Sequence, residues 1–302
     1  MTIVAEKPCL VKPFLKWAGG KGQLINEIQA HLPHDFSEIN TYIEPFIGGG
    51  AVFFYITQRY KHIKRFYLFD INDDLVQCYN AIKRDVTSLI HELFRLQDDF
   101  LILDKPQRKE FFLEIRKKFN SEKLTCFGIK TAAKLIFLNK TCFNGLYRVN
   151  KKGEFNVPFG DYKNPRICMA EKLKTTADIL QKAEIICGDF ENCLKYVGKK
   201  TFIYFDPPYR PISNTSSFTS YCKEKFAQEE QLRLARFCKE KINARGAKFL
   251  LSNSDPKNEN PKDHFFEVHY KQFHIDRVKA SRMINCKASG RGQISELLIT
   301  NY

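Results

Sequence analysis

The chain predicts an α/β fold, a mostly parallel sheet covered by helices on both faces and interrupted by a largely helical insertion. Three observations carry this. Short apolar strands alternate with helical patterns at the start and again after residue 184. Residues 85–138 are rich in charged helix formers and hold no convincing strand. The composition, 43% hydrophobic and 27% charged over 302 residues, is that of a globular chain of one large or two smaller domains. Strands that alternate with helices lie parallel, because each crossover returns the chain to the same end of the sheet.

In order, residues 23–32 predict a helix, 41–44 a short strand, and 51–60 a helix after a glycine-rich turn. Residues 66–69 predict the second strand. Leu75, Val76, Tyr79 and Ile82 then recur at helical spacing over 75–83. Gly145, Gly153, Pro158, Gly160 and Pro165 break up 139–166, which reads as loops or a hairpin. Strands resume at 183–187, 201–205 and 248–251, and 296–300 is the last. No internal repeat or long low-complexity tract is visible.

Composition removes several function classes. The apolar run Leu135-Ile136-Phe137-Leu138 is far shorter than the ~18 residues of a membrane span. The first ten residues lack the basic-then-apolar pattern of a secretory signal. Ten cysteines include no C-x-x-C pair, and seven histidines no H-E-x-x-H. Neither a disulfide framework nor a metal site is predicted, and the thiols are expected to be reduced and mostly buried. These features describe a cytoplasmic, basic protein with no membrane partner and no evident obligate protein partner.

The net charge of +15 is concentrated. Residues 139–175 carry eight Lys/Arg against three acids, and 277–292 carry five and no acid. The first cluster is interleaved with Phe143, Tyr147, Phe155, Phe159 and Tyr162. Solvated surface would explain one such cluster; two in a strongly basic chain favour a polyanion, with nucleic acid as the leading candidate.

Two glycine-rich turns follow. Glu44-Pro45-Phe46-Ile47-Gly48-Gly49-Gly50 lies between a strand and an apolar helix, where glycine lets a ligand approach the backbone. Asp70 lies 20 residues beyond Gly50, at the end of the second strand, where a carboxylate accepts hydrogen bonds from a ribose diol. The pattern predicts a nucleoside cofactor without separating a nicotinamide from S-adenosylmethionine. Upstream, Lys16-Trp17-Ala18-Gly19-Gly20-Lys21 lacks the spacing of a phosphate-binding P-loop. Lys21 at the following helix start is a candidate holder of a carboxylate, and Trp17, the only tryptophan, a candidate cofactor wall.

Asp206-Pro207-Pro208-Tyr209 directly follows the apolar strand Phe202-Ile203-Tyr204-Phe205. Ligands of open α/β sheets bind beyond the carboxyl ends of strands. Consecutive prolines stiffen the turn and remove two backbone donors, and their carbonyl acceptors are expected to point outward. An amino group conjugated with a planar ring is a poor nucleophile. The Asp206 carboxylate and the Pro207 carbonyl can accept its N–H bonds, and Tyr209 offers a face for the ring. This is chemistry for methylating an exocyclic amine.

Taken in order, residues 14–21, 44–50, 68–73, 139–165, 206–209 and 291–298 resemble the Dam-type DNA adenine-N6 methyltransferases of bacteria and phages. The resemblance covers nearly the whole chain, least diagnostically over 85–138. It implies a Rossmann-like S-adenosylmethionine-dependent methyltransferase sheet with an inserted, mainly helical target-recognition domain carrying a hairpin. The implied division is 1–84 and 169–302 for the catalytic domain and 85–168 for the insertion. By the same resemblance Trp17, Lys21, Glu44, Gly48, Asp70, Asp189, Phe190 and Asp206 bind the cofactor. Asp206, Pro207 and Tyr209 form the target-amine pocket. Phe143 is an aromatic wedge, and Asn144, Leu146, Arg148, Pro158 and Tyr162 contact double-stranded DNA. Arg148 is the candidate guanine reader, since arginine forks onto the guanine edge. The family's site is GATC, methylated after base flipping, alone or beside a restriction nuclease. Two departures stand out: Phe143 where tyrosine is familiar, and Lys140-Thr141-Cys142 where Arg-Tyr-Gly is. The segment 212–221 is a candidate closing loop. The alternatives are methylation of an RNA base or a protein glutamine, a nicotinamide-dependent oxidoreductase, and a catalytically silent DNA-binding protein.

Overall fold

The computed structural model describes residues 11–210, 226–281 and 293–302. Seven strands form one sheet: β1 (Thr41–Glu44), β2 (Arg65–Asp70), β3 (Ala183–Cys187), β4 (Thr201–Phe205), β5 (Lys248–Ser254), β6 (His274–Ser281) and β7 (Gln293–Thr300). Their spatial order is β3-β2-β1-β4-β5-β7-β6. The first five are mutually parallel, while β7 runs antiparallel to both β5 and β6. This is the mixed α/β, mostly parallel sheet expected of a Rossmann-like methyltransferase. Strand β6 is an addition to the sequence expectation, β5 reaches Ser254, and β7 begins at Gln293.

Strand side chains alternate between two apolar layers, as a two-residue period requires. Tyr42, Phe66, Leu68, Phe202, Tyr204, Leu250 and Leu298 enter one layer. Ile43, Phe69, Ile203, Phe205, Leu251, Leu297 and Ile299 enter the other. The first layer is closed by α2 (Ala51–Arg59), α3 (Asp73–Arg84) and α7 (Ala170–Leu180), the second by α8 (Gln228–Phe237) and α9 (Phe265–His269). The predicted helix over 23–32 is instead a 3-10 turn, Lys21–Gln23, followed by the short α1 (Ile25–Ala30).

Between α3 and α7 the chain forms α4 (Val86–Leu101), α5 (Lys105–Glu122) and α6 (Ile129–Thr141). Local signals start each helix. Asn72 caps α3 by accepting the Leu75 N–H, and Asp85 caps α4 by accepting that of Ser88. Asp104 and Gln107 form a reciprocal capping box at α5. Helix α6 is buried almost all round, and Phe100, Phe112, Phe119 and Phe137 extend the first apolar layer into this helical group. Residues 142–159 then turn back on themselves, with antiparallel bridges pairing Cys142 with Phe159 and Val149 with Phe155.

Of the seven described cysteines, all unpaired, four are buried. No helix among the described residues is long and apolar enough to cross a membrane. The candidate loop 212–221 and residues 282–292 of the second basic run lie outside the described residues.

Candidate active site

Strand β4 is fully buried, so the chain emerges at its carboxyl end with Asp206 at the lip. Asp206 Oδ1 accepts the Lys21 ammonium at 2.7 Å and the Ser252 hydroxyl, from neighbouring β5, at 3.1 Å. Ser252 in turn lies 2.9 Å from the Tyr204 hydroxyl. Lys21 comes from the 3-10 turn, donates also to the Gly19 carbonyl at 2.8 Å, and lies 4.4 Å above the Tyr209 ring. The Tyr209 hydroxyl donates to Glu296 Oε2 on β7 at 2.5 Å.

The tetrapeptide is clamped from behind. Gln231 on α8 donates to the Pro208 carbonyl at 2.9 Å and accepts from Asn253, whose own oxygen accepts the Arg210 N–H. The Pro208 carbonyl is therefore turned inward. Pro207 is buried, Pro208 exposed and Tyr209 half-buried. Gln231, Ser252, Asn253 and Glu296 were not anticipated from sequence. The motif resembling the family's at 291–298 included Glu296 without saying what it would touch.

Three carboxyls crowd this lip against one ammonium. Burial pushes Asp206 up from the ordinary aspartate range, against the pull of Lys21 and Ser252. Burial also raises Glu44 well above a normal glutamate, opposed by the Tyr42 hydroxyl that donates to it at 2.6 Å and reinforced by the nearby Asp206. Glu296 is raised by burial as well, against the hydroxyl of Tyr209.

A second group abuts the first. Gly48 has φ +47°, and its N–H donates to Asp70 Oδ2 at 3.0 Å, while Asp70 Oδ1 accepts the Asn72 N–H at 2.9 Å. A Cβ at Gly48 would lie 3.1 Å from the Trp17 indole, and one at Gly49 3.2 Å from the Trp17 Cβ. The missing side chains let Trp17 lie on this turn. Gly50, at φ +73°, would press a Cβ to 2.8 Å from the Tyr79 hydroxyl. Burial raises the Asp70 carboxyl, against the backbone N–H groups of Asn72, Gly48 and Ile71.

Trp17, Lys21, Glu44, Gly48, Asp70, Asp206, Pro207 and Tyr209 thus gather at one end of β1, β2 and β4. Three predicted cofactor contacts, Glu44, Phe190 and Asp189, also have partners within the protein. Glu44 is 2% exposed and holds the Tyr42 hydroxyl, so its side chain braces the floor of the site. Phe190 is 2% exposed, with its ring against Phe46 and under the Arg233 guanidinium. Asp189 is engaged by Arg233 through two bonds of 2.9 and 2.6 Å. The carboxylate that Lys21 holds is the chain's own Asp206.

The hairpin lies beside this end. Phe143 has its ring exposed, and its N–H donates to the Pro158 carbonyl at 2.8 Å. Asn144 is left-handed at φ +55° and exposed. Leu146 is half-buried against the core. Arg148 is exposed and donates twice to Asn156, which leaves donors of its five-donor fork for another acceptor. Tyr162 lies beneath the Lys16 ammonium at 4.6 Å. Asn139 fixes Lys16 by taking its N–H and carbonyl at 2.9 and 2.8 Å.

Residues 17–284 match the family described as D12 class N6 adenine-specific DNA methyltransferase. The Type II methyltransferase M.MjaIII of Methanocaldococcus jannaschii is 52% identical over 295 residues, covering 97% of this chain and 99% of that protein. The DNA adenine methylase of Vibrio cholerae is 37% identical over 287 residues, 95% of each chain. The DNA N-6-adenine-methyltransferase of Escherichia phage P1 is 34% identical over 95% of this chain and 35% of its own length. On a match that spans both glycine-rich turns, the hairpin and the tetrapeptide, the chain belongs to the D12 class N6 adenine-specific DNA methyltransferases.

Proposed function

We propose that the chain methylates N6 of adenine in double-stranded DNA, within GATC, using S-adenosylmethionine and direct transfer to a flipped base. The observation that carries the chemistry is the joint presentation of the Asp206 carboxylate and the Tyr209 ring beside the Gly48–Asp70 turn. The GATC site rests on the Dam-type resemblance of the 143–162 segment and on relatives named DNA adenine methylase.

The residues present fit the donor. Asp70 is half-buried, and the Gly48, Asn72 and Ile71 N–H groups that bear on it do not fill the roughly four acceptor positions of a carboxylate, leaving room for a ribose hydroxyl. Gly48 and Gly49 leave no Cβ between Trp17 and the turn. Trp17, Gly48 and Asp70 would hold the nucleoside, and Lys21, two of whose three N–H donors go to Gly19 and Asp206, has a third for the carboxylate of the methionine portion. When bound, S-adenosylmethionine supplies an electrophilic methyl group.

An adenine amine inside a duplex cannot reach this lip, so the base must rotate out. Phe143, whose ring is exposed, would fill the gap left in the stack. Tyr209 supports the rotated ring. With Oδ1 of Asp206 held by Lys21 and Ser252, Oδ2 accepts an N–H of the amine and directs the nitrogen lone pair toward the donor. The proton released after transfer would pass to Asp206. The deciding assay gives the enzyme methyl-labelled S-adenosylmethionine with two duplexes, one holding GATC and one with those bases permuted, and identifies the nucleosides by mass spectrometry. N6-methyladenine in the first alone is expected. Label in both would discard the GATC assignment.

A further inference from the structure

Tyr147 lies between two candidate base readers, Leu146 and Arg148, yet its contacts are elsewhere. Its ring stacks on Trp17 with centroids 5.3 Å apart and planes 25° from parallel. Its hydroxyl donates to Asp74 Oδ2 at 2.5 Å. Asp74 lies in the first turn of α3, four residues beyond Asp70, and is 9% exposed. The same oxygen accepts the Lys123 ammonium at 2.6 Å, and Lys123 also donates to the Gly153 carbonyl at the hairpin turn. One side chain of the hairpin therefore bears on both sides of the cofactor cradle, the indole over Gly48–Gly49 and the helix that follows Asp70.

We propose that Tyr147 is a positioning residue that couples the hairpin to the cofactor cradle, so that DNA engaged by residues 143–148 shifts Trp17 and tightens cofactor binding. The inference rests on reading those two regions as DNA reader and cofactor cradle. An adjustment of the segment bearing Leu146 and Arg148 is passed through the stacked ring to Trp17, because Tyr147 is held at its hydroxyl as well as on its face. Binding energies are reciprocal: if DNA tightens the cofactor, the cofactor tightens DNA by the same factor.

Trp17 is the only tryptophan, so emission excited beyond the tyrosine band reports the surroundings of this one ring, and the Tyr147 variants isolate the part owed to the stacked contact. The full chain is titrated with a GATC duplex while emission is recorded, and S-adenosylhomocysteine affinity is measured calorimetrically with and without the duplex. In the wild type, DNA should shift Trp17 emission and tighten the cofactor by about fivefold or more. Tyr147→Leu should lose both effects, and Tyr147→Phe, which keeps the ring, should restore much of the emission change. Coupling that survives intact in Tyr147→Leu overturns the proposal, as does a wild type that binds DNA with no change in Trp17 emission. Duplex affinity and site preference, followed separately by anisotropy of a labelled duplex with Arg148→Ala as control, test the reader assignment itself. If that variant leaves preference unchanged while the coupling holds, the reader assignment fails and the Tyr147 contact stands.

Discussion

Lys21 and burial act on Asp206 in opposite directions, and this sets a pH signature. The raised carboxyl must be ionised to accept the amine N–H, so activity should fall as pH drops through a value above the ordinary aspartate range. Lys21→Met removes the ammonium that favours the ionised form. The acid limb of kcat, measured at saturating cofactor, should therefore move to higher pH; an unmoved limb would remove Asp206 from the acceptor role. Arg148→Ala should cost roughly 1–3 kcal/mol of discrimination at one base pair, read by comparing kcat/KM over all single-base variants of the site. At this scale the sequence showed which residue types stood at strand ends, because Asp70 and Asp206 each close an apolar run. It could not show partners. Glu296 is 87 residues from the Tyr209 it holds, and nothing local to Asp189 indicates that Arg233 engages its carboxylate.

Among the elements, the hairpin depends on a close backbone contact at Gly160. A Cβ there would stand 2.5 Å from the Cys142 carbonyl, beside the Cys142–Phe159 bridge. Gly160→Ala should displace the hairpin at an overpacking cost of about 1–3 kcal/mol. Duplex affinity should drop while cofactor affinity in the absence of DNA changes little; equal loss of both would place the damage in the sheet. Strands β1, β4 and β5 were legible because neighbours on both sides and apolar layers on both faces demand near-continuous hydrophobic runs. Strand β6 was not. It is an edge strand in which Val278 is buried and Ile275 half-buried, three positions apart, so neither a run nor an alternation marks it. The capped helices of the insertion were legible as a helical region, but their packing against α3 was not, since it depends on the tertiary burial of α6.

Across the whole molecule, an excess of fifteen positive charges makes DNA affinity a function of salt. If about six phosphates are neutralised, affinity should fall on the order of a thousandfold between 50 and 200 mM salt. A flat log–log plot would argue that the basic clusters do not meet the backbone. The +15 balance was legible from composition alone, whereas the gathering of the hairpin beside the strand ends required the fold. The manner in which the chain leaves and rejoins the sheet has a further consequence. Helices α3 and α7 end side by side, with Lys83 donating to the Ala183 carbonyl and Gln181 to that of Lys83, both at 2.7 Å. Residues 84–180 thus depart and return through a closed neck between directly paired β2 and β3, and the strands need no change of register to accept a different segment between them. On the proposed assignment of DNA reading to the hairpin, such a neck would let the segment be exchanged, and sequence preference with it, on an unchanged sheet. The exchange has two tethers to respect, Asn139 on Lys16 and Tyr147 on Trp17, and a transplanted cassette that lacks them must arrive with its own seat on the amino-terminal turn.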